Sequence, residues 1–168
     1  YDIIHYKWTK IADLNIVRTK SACAVFEGKI VVTGGHSYTG KIKSAEYYDH
    51  HGNKWSNLPD MIGLRYIYSS FSMGNKFFVI GGSSNVDAEV FDSISRKFTL
   101  FNLKLVCRNQ SSCKCETVSI CRNMFVFCSC YKQPKIHLFN VYEKKWVSKE
   151  TVKSVCFRGS VFNKVPKQ

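Results

Sequence analysis

Four times the chain writes an aromatic residue, then Asp or Asn, then four positions of no shared type, then Lys and a large aromatic: Tyr1 to Trp8, Tyr48 to Trp55, Phe91 to Phe98, Phe139 to Trp146. The phrase carries no gaps, and its successive starts lie 47, 43 and 48 residues apart. Self-similarity at such a period marks a repeat architecture, in which each unit is one supersecondary element that buries its apolar face only against its neighbours.

Between the phrases, two apolar runs, Lys-Ile-Val-Val-Thr at 29–33 and Lys-Phe-Phe-Val-Ile at 76–80, end in Gly34-Gly35 and Gly81-Gly82. Runs of β-branched and aromatic residues suit strands buried on both faces. Glycine fits where φ turns positive or where another backbone or an indole ring comes close. After a loop come Ala45-Glu46-Tyr47-Tyr48-Asp49 and its echo Ala88-Glu89-Val90-Phe91-Asp92. Upstream, Arg18 and Arg65 each stand ten residues after the preceding Trp and introduce further strands, at 21–26 and 69–73. Turns are expected at Glu27-Gly28, His51-Gly52-Asn53 and Gly74-Asn75, where the composition favours them. About four short strands per period, with no helical pattern, predict an all-β chain of four-stranded antiparallel sheets packed radially as propeller blades. Because Glu46 and Glu89 recur at one repeat position, they are read as structural hydrogen-bonding groups.

The Gly doublet, the Glu-x-Tyr-Asp sequence, the Trp, and the Leu-Pro-Asp-Met connection at 58–61 together resemble the kelch motif. Its framework positions here are Gly34, Gly35, Glu46, Tyr48, Trp55, Gly81, Gly82, Glu89, Phe91 and Trp146. In the third repeat Cys128-Ser129 replaces the doublet, His137 replaces Glu and Asn140 replaces Asp. The resemblance implies a partial kelch propeller over 1–168: the tail of a preceding blade at 1–8, repeats at 9–55, 56–98 and 99–146, and the start of another at 147–168. It is most like the propeller of a BTB-kelch protein. Such a protein is expected to recruit a protein substrate, an acidic peptide segment for instance, while a domain outside this chain binds a cullin for ubiquitin transfer. An actin-binding kelch protein of the cytoskeleton is the alternative. In adaptor-type kelch propellers the residue after the doublet and the one 14 before it tend to line the partner face. That rule selects His36 and Lys20, then Ser83 and Ile67 with Tyr68 beside it, and in the third repeat Lys114 and either Cys130 or Tyr131.

Charge is unevenly placed. Of the net +13, residues 1–92 carry +1 and residues 93–168 carry +12. A basic half favours acidic partners or forms a solvated rim that keeps sheet edges apart. With no compact basic run or nucleic-acid module, a nucleic-acid partner is not expected. Apolar runs far short of a bilayer span predict no membrane partner and a cytoplasmic chain. Seven of the eight cysteines lie between Cys107 and Cys156. Spacing by two places the members of Cys113/Cys115 and of Cys128/Cys130 on one strand face each. A hairpin turn at Cys121-Arg122 would set Cys115 opposite Cys128 and Cys113 opposite Cys130. Such a thiol square fits a metal site poorly; redox reactivity and plain packing are the other two readings. No nucleophile or acid–base constellation is visible, so the chain is expected to bind rather than catalyse, without a cofactor. Gly35 to Gly40 and His50-His51 are read as a loop and a turn.

Overall fold

The structure, a computed structural model, describes residues 1–66, 68–82, 88–101, 114–120, 123–129, 135–140, 143 and 145–151. Among these there is no helix. In the first sheet β1 (Ala22–Phe26) and β2 (Lys29–Thr33) are followed by a small hairpin, β3 (His36–Ser37) with β4 (Gly40–Lys41), before β5 (Ala45–Asp49) and β6 (Lys54–Leu58). The four long strands lie in the order β1-β2-β5-β6. The segment after Gly35, expected as a loop, is thus a two-stranded ribbon, with His36 opposite Lys41. The second sheet repeats the plan with β7 (Ser69–Met73), β8 (Lys76–Ile80), β9 (Ala88–Asp92) and β10 (Lys97–Leu100). The third uses β11 (Lys114–Ile120), β12 (Asn123–Ser129), β13 (Lys135–Asn140) and β14 (Lys145–Thr151). All neighbours within the sheets are antiparallel.

Strand β8 explains how successive sheets stack. Phe77, Phe78, Val79 and Ile80 are each 1 % exposed or less, so this strand is covered on both faces, as its unbroken apolar run predicts. Successive side chains point to opposite faces. Phe26 of β1 meets Phe77 edge-on at 5.9 Å and Phe91 at 6.0 Å. On the other side Phe78 meets Phe101 at 5.5 Å, and Phe101 meets Phe139 of β13 at 5.8 Å. Aromatic edges link the three sheets, each contact adding about 0.5–1.5 kcal/mol beyond burial. The first strands also run side by side, β1 against β7 and β7 against β11. Ser72 Oγ donates to the Val25 carbonyl at 2.5 Å, and the Ser69 and Thr117 hydroxyls meet at 2.7 Å.

The eight-residue phrase is a hairpin closing each sheet. Its first and last residues are register partners in Tyr48/Trp55, Phe91/Phe98 and Phe139/Trp146. Their rings pack at 5.3 Å in the first pair and 5.1 Å in the second, and Tyr1 meets Trp8 at 5.2 Å. The second residue caps the turn. Asp2 accepts from the amides of Ile4 and His5, Asp92 from those of Ile94 and Ser95, and Asn140 from that of Glu143. The Ser95 and Ile94 amides, with Lys76, hold the Asp92 carboxyl below its usual range. The Trp55 indole donates to the Ala12 carbonyl at 2.9 Å while Asn53 accepts from the Ala12 amide at 3.0 Å, tying the incoming chain to this hairpin.

One of the four middle positions is constrained after all. The sixth residue of the phrase is left-handed each time it is described: Tyr6 at φ 51°, Asn53 at 42° and Arg96 at 52°. Asn adopts this region at lower cost than Arg. Arg96→Asn is therefore expected to stabilise the fold by about 0.5 kcal/mol, read as a higher urea midpoint at unchanged m-value; an unchanged midpoint would count against strain at this turn.

Candidate functional site

The strand-entry arginines and the recurrent glutamates form a buried latch in each of the first two sheets. Arg18 and Glu46 are ion-paired with both side chains fully buried, as are Arg65 and Glu89, the latter at 3.0 Å. Each glutamate also holds the chain arriving from the previous unit. Glu46 accepts from the Asn15 and Ile16 amides, at 2.9 and 3.3 Å, and Glu89 from those of Ile62 and Gly63, at 2.6 and 2.9 Å. Each arginine also reaches the glycine doublet, Arg18 donating to the Gly34 carbonyl at 2.9 Å and Arg65 to that of Gly81. The glutamates thus have the structural role expected of them. Their arginine partners, seen in the sequence only as strand openings, complete it.

The latch fixes the exit from β2, and a polar surface is built there. Gly35 donates to the Arg65 carbonyl at 2.8 Å, which brings the residue after Arg65 against the residue after Gly35. Thr19 and His36 form an antiparallel bridge through bonds of 2.9 and 2.8 Å. A Cβ on Gly35 would come within 2.6 Å of the Thr19 carbonyl, so this bridge depends on glycine. The result is a cluster around the half-buried Tyr66: His36 meets its ring edge-on at 6.4 Å, while the ammonium groups of Lys41 and Lys20 lie 4.8 and 5.9 Å from its centre. Both ammonium distances are within cation–π range. Lys20 is itself left-handed at φ 54°, a backbone state that surrounding structure must enforce in a non-glycine residue. Among the described residues, neither lysine is ion-paired to a carboxylate. Two cations, an imidazole and a phenol thus converge on one surface, with no carboxylate paired to either cation among the described residues.

Of the residues selected for the partner face, Lys20 and His36 meet here. Lys41 and Tyr66 were missed, although Lys41 follows the Gly40 turn and Tyr66 immediately precedes a selected position. Tyr68 requires correction. It is 9 % exposed, and its hydroxyl donates to the Thr33 carbonyl and bonds Thr33 Oγ1 at 2.9 Å, so it joins two sheets and does not face a partner. Strand alternation alone could not choose between Tyr66 and Tyr68, which share a parity. Ile67, Ser83 and Tyr131 lie outside the described residues, and for Lys114 only its register with Ser129 is described. Cys115 is the register partner of Cys128, as expected; Cys113 and Cys130 lie outside the described residues. No cluster of three or more potential metal-ligating side chains occurs among the described residues.

Burial pushes the Tyr68 phenol up to about 12, against smaller opposing effects of its Thr33 bond and the nearby arginines. The unfolded phenol ionises near 10.0. Its contribution is therefore intact below pH 10 and lost as pH rises towards 12, by up to about 3 kcal/mol. Denaturation midpoints measured between pH 9 and 12 are expected to fall with this slope and to flatten in Tyr68→Phe. An equal slope in both proteins would remove Tyr68 as the cause.

The comparisons agree with this architecture. The kelch motif family matches residues 18–62, which run from the Arg18 latch to the next connection. An F-box/kelch-repeat protein of Arabidopsis thaliana is 28% identical over 158 residues, covering 87% of this chain and 39% of its own length. A kelch repeat protein of vaccinia virus is 30% identical over 81 residues, 48% of this chain and 16% of the relative. A kelch-like protein of Danio rerio is 32% identical over 83 residues, 49% of this chain and 14% of the relative. The chain thus spans well under half the length of these relatives. With a kelch motif matched at residues 18–62, repeated latches and successive four-stranded antiparallel sheets, this chain is similar to kelch-repeat proteins, and its sheets are consistent with the blades of a partial kelch β-propeller, an architecture of protein-interaction modules.

Proposed function

We propose that the chain is the substrate-recognition propeller of a cytoplasmic cullin-RING ubiquitin-ligase adaptor, and that the Lys20–His36–Lys41–Tyr66 surface receives an acidic segment of the protein substrate. The observation that carries the binding half is the convergence of two ammonium groups, neither ion-paired among the described residues, on one tyrosine ring at the junction of two blades. Ammonium groups give a carboxylate charge-assisted hydrogen bonds, and the ring supplies flat apolar area beside them. The adaptor half rests on relatives named as F-box/kelch-repeat and kelch-like proteins. In the full-length protein a domain outside this propeller would contact the cullin.

The binding half is tested by fluorescence anisotropy with a labelled Asp/Glu-rich peptide. Lys20→Glu combined with Lys41→Glu is expected to weaken binding roughly tenfold or more, with the far-ultraviolet spectrum and melting temperature retained. Equal affinity in the two proteins would overturn the assignment of this surface. For the adaptor half, the full-length protein should recover a cullin from cell extract and the propeller alone should not. Co-sedimentation of the propeller with actin filaments, without cullin capture, would favour the cytoskeletal alternative.

A further inference from the structure

The cysteines of the third sheet have no part in the peptide surface, yet their register has chemical consequences. Cys115 of β11 stands directly opposite Cys128 of β12. The last register pair of this hairpin is Ile120 with Asn123, so two residues connect the strands. A two-residue hairpin loop is flanked by a hydrogen-bonded pair, and antiparallel pairs alternate from there between hydrogen-bonded and non-hydrogen-bonded. Counting back, the pairs at Val118/Phe125, Glu116/Phe127 and Lys114/Ser129 are of the first kind, while Ser119/Met124, Thr117/Val126 and Cys115/Cys128 are of the second.

An independent contact checks this parity. The Thr117 amide donates to Ser69 Oγ of β7 at 3.1 Å, away from β12, as a member of a non-hydrogen-bonded pair must. Cys115 has the same parity two residues earlier. At such a pair the Cα atoms are about 4.5 Å apart, within the Cα span of about 4.4–6.8 Å that a disulfide tolerates. On its other side Cys128 is register partner to Lys135 of β13.

We infer that Cys115 and Cys128 form a thiol pair that a hydroperoxide converts to a reversible cross-strand disulfide joining β11 to β12. One thiolate attacks a peroxide oxygen; the O–O bond breaks, water or an alcohol leaves after protonation, and a sulfenic acid forms on that sulfur. The second thiol attacks this sulfur, the S–O bond breaks and water departs. Two electrons pass in total from the sulfurs to the peroxide. A low-molecular-weight thiol reverses the reaction by exchange, so the bridge is compatible with a reducing compartment, where disulfides are transient.

The test uses the full chain, reduced, exposed to hydrogen peroxide, alkylated and digested without reductant. Mass spectrometry is expected to find one dominant linked peptide pair containing Cys115 and Cys128, lighter by two hydrogens than the separate thiol peptides and abolished by dithiothreitol. The same link should persist in the Cys113→Ser, Cys130→Ser double variant and lose its dominance when the chain is oxidised in urea, where pairing becomes indiscriminate. Both cysteines alkylated after peroxide treatment, or linkage through Cys113 or Cys130 in place of this pair, would overturn the inference. Because the wild-type chain gives the primary reading, the result does not depend on a variant that folds.

Discussion

Replacing Glu89 with alanine is expected to cost about 3–5 kcal/mol of folding stability, lowering the melting temperature by on the order of 10 °C. The side chain is fully buried, and its carboxylate accepts from two connection amides and from Arg65 Nε. Removing it strands a buried guanidinium and two amides at once, so the loss exceeds that of one hydrogen bond. The first blade supplies an internal comparison. Arg18 holds, besides Glu46, the Gly34 carbonyl and both the carbonyl and the hydroxyl of Ser44. Arg65 is less well supplied: Nη1 reaches the Gly81 carbonyl, and its buried Nη2 has no partner among the described residues. Glu89→Ala should therefore destabilise more than Glu46→Ala, whose arginine keeps four other acceptors, the Ile16 carbonyl included. Thermal and urea unfolding of the two variants measure this order. Equal small losses, within about 1 kcal/mol, would mean that the latches do not hold the connections.

The contrast between the latch and the Tyr66 cluster accounts for what was readable in the residues alone. Periodic contacts leave periodic signatures. The paired rings of the phrase, the glutamates and the doublets recur at fixed offsets, so four-stranded blades followed from them. Arg18 and Arg65 recur as well, each ten residues after the preceding Trp, but they stand 28 and 24 residues before their glutamates, so no fixed offset announced the ion pairs and the fold had to bring them together. Tyr66 has no such signature. It meets Lys20, His36 and Lys41 because the Gly35 amide bonds the Arg65 carbonyl across two repeats, and a contact made once among the described residues leaves no periodicity to detect. The left-handed sixth position of the phrase was hidden for a different reason. Tyr, Asn and Arg share no side-chain property, and what they have in common there is a backbone state.

Gly34→Ala is expected to be comparably damaging, and the cause can be separated from the general difficulty of left-handed φ. Gly34 sits at φ 48°, and an added Cβ would come 2.5 Å from the Tyr68 hydroxyl, 2.8 Å from Met61 Cε and 2.9 Å from the Arg65 carbonyl. Methionine can swing aside, but the carbonyl belongs to backbone already bonded to Gly35, and the hydroxyl is held by Thr33. Relieving the clash means parting the first blade from the second where the latch, the Tyr68 bond and the polar cluster adjoin. Overpacking costs about 1–3 kcal/mol and left-handed alanine about 1–2 kcal/mol more, giving a loss of about 2–5 kcal/mol. Gly28 at φ 72° and Gly74 at φ 59° provide the controls, since nothing lies within 4 Å of a Cβ at either turn. Gly28→Ala and Gly74→Ala should lose only the backbone part, about 1–2 kcal/mol. Urea denaturation of the three variants distinguishes the causes. If Gly34→Ala loses no more than the two turn variants, close approach of the next blade is not what requires glycine at this position, and the doublet marks a turn and nothing further.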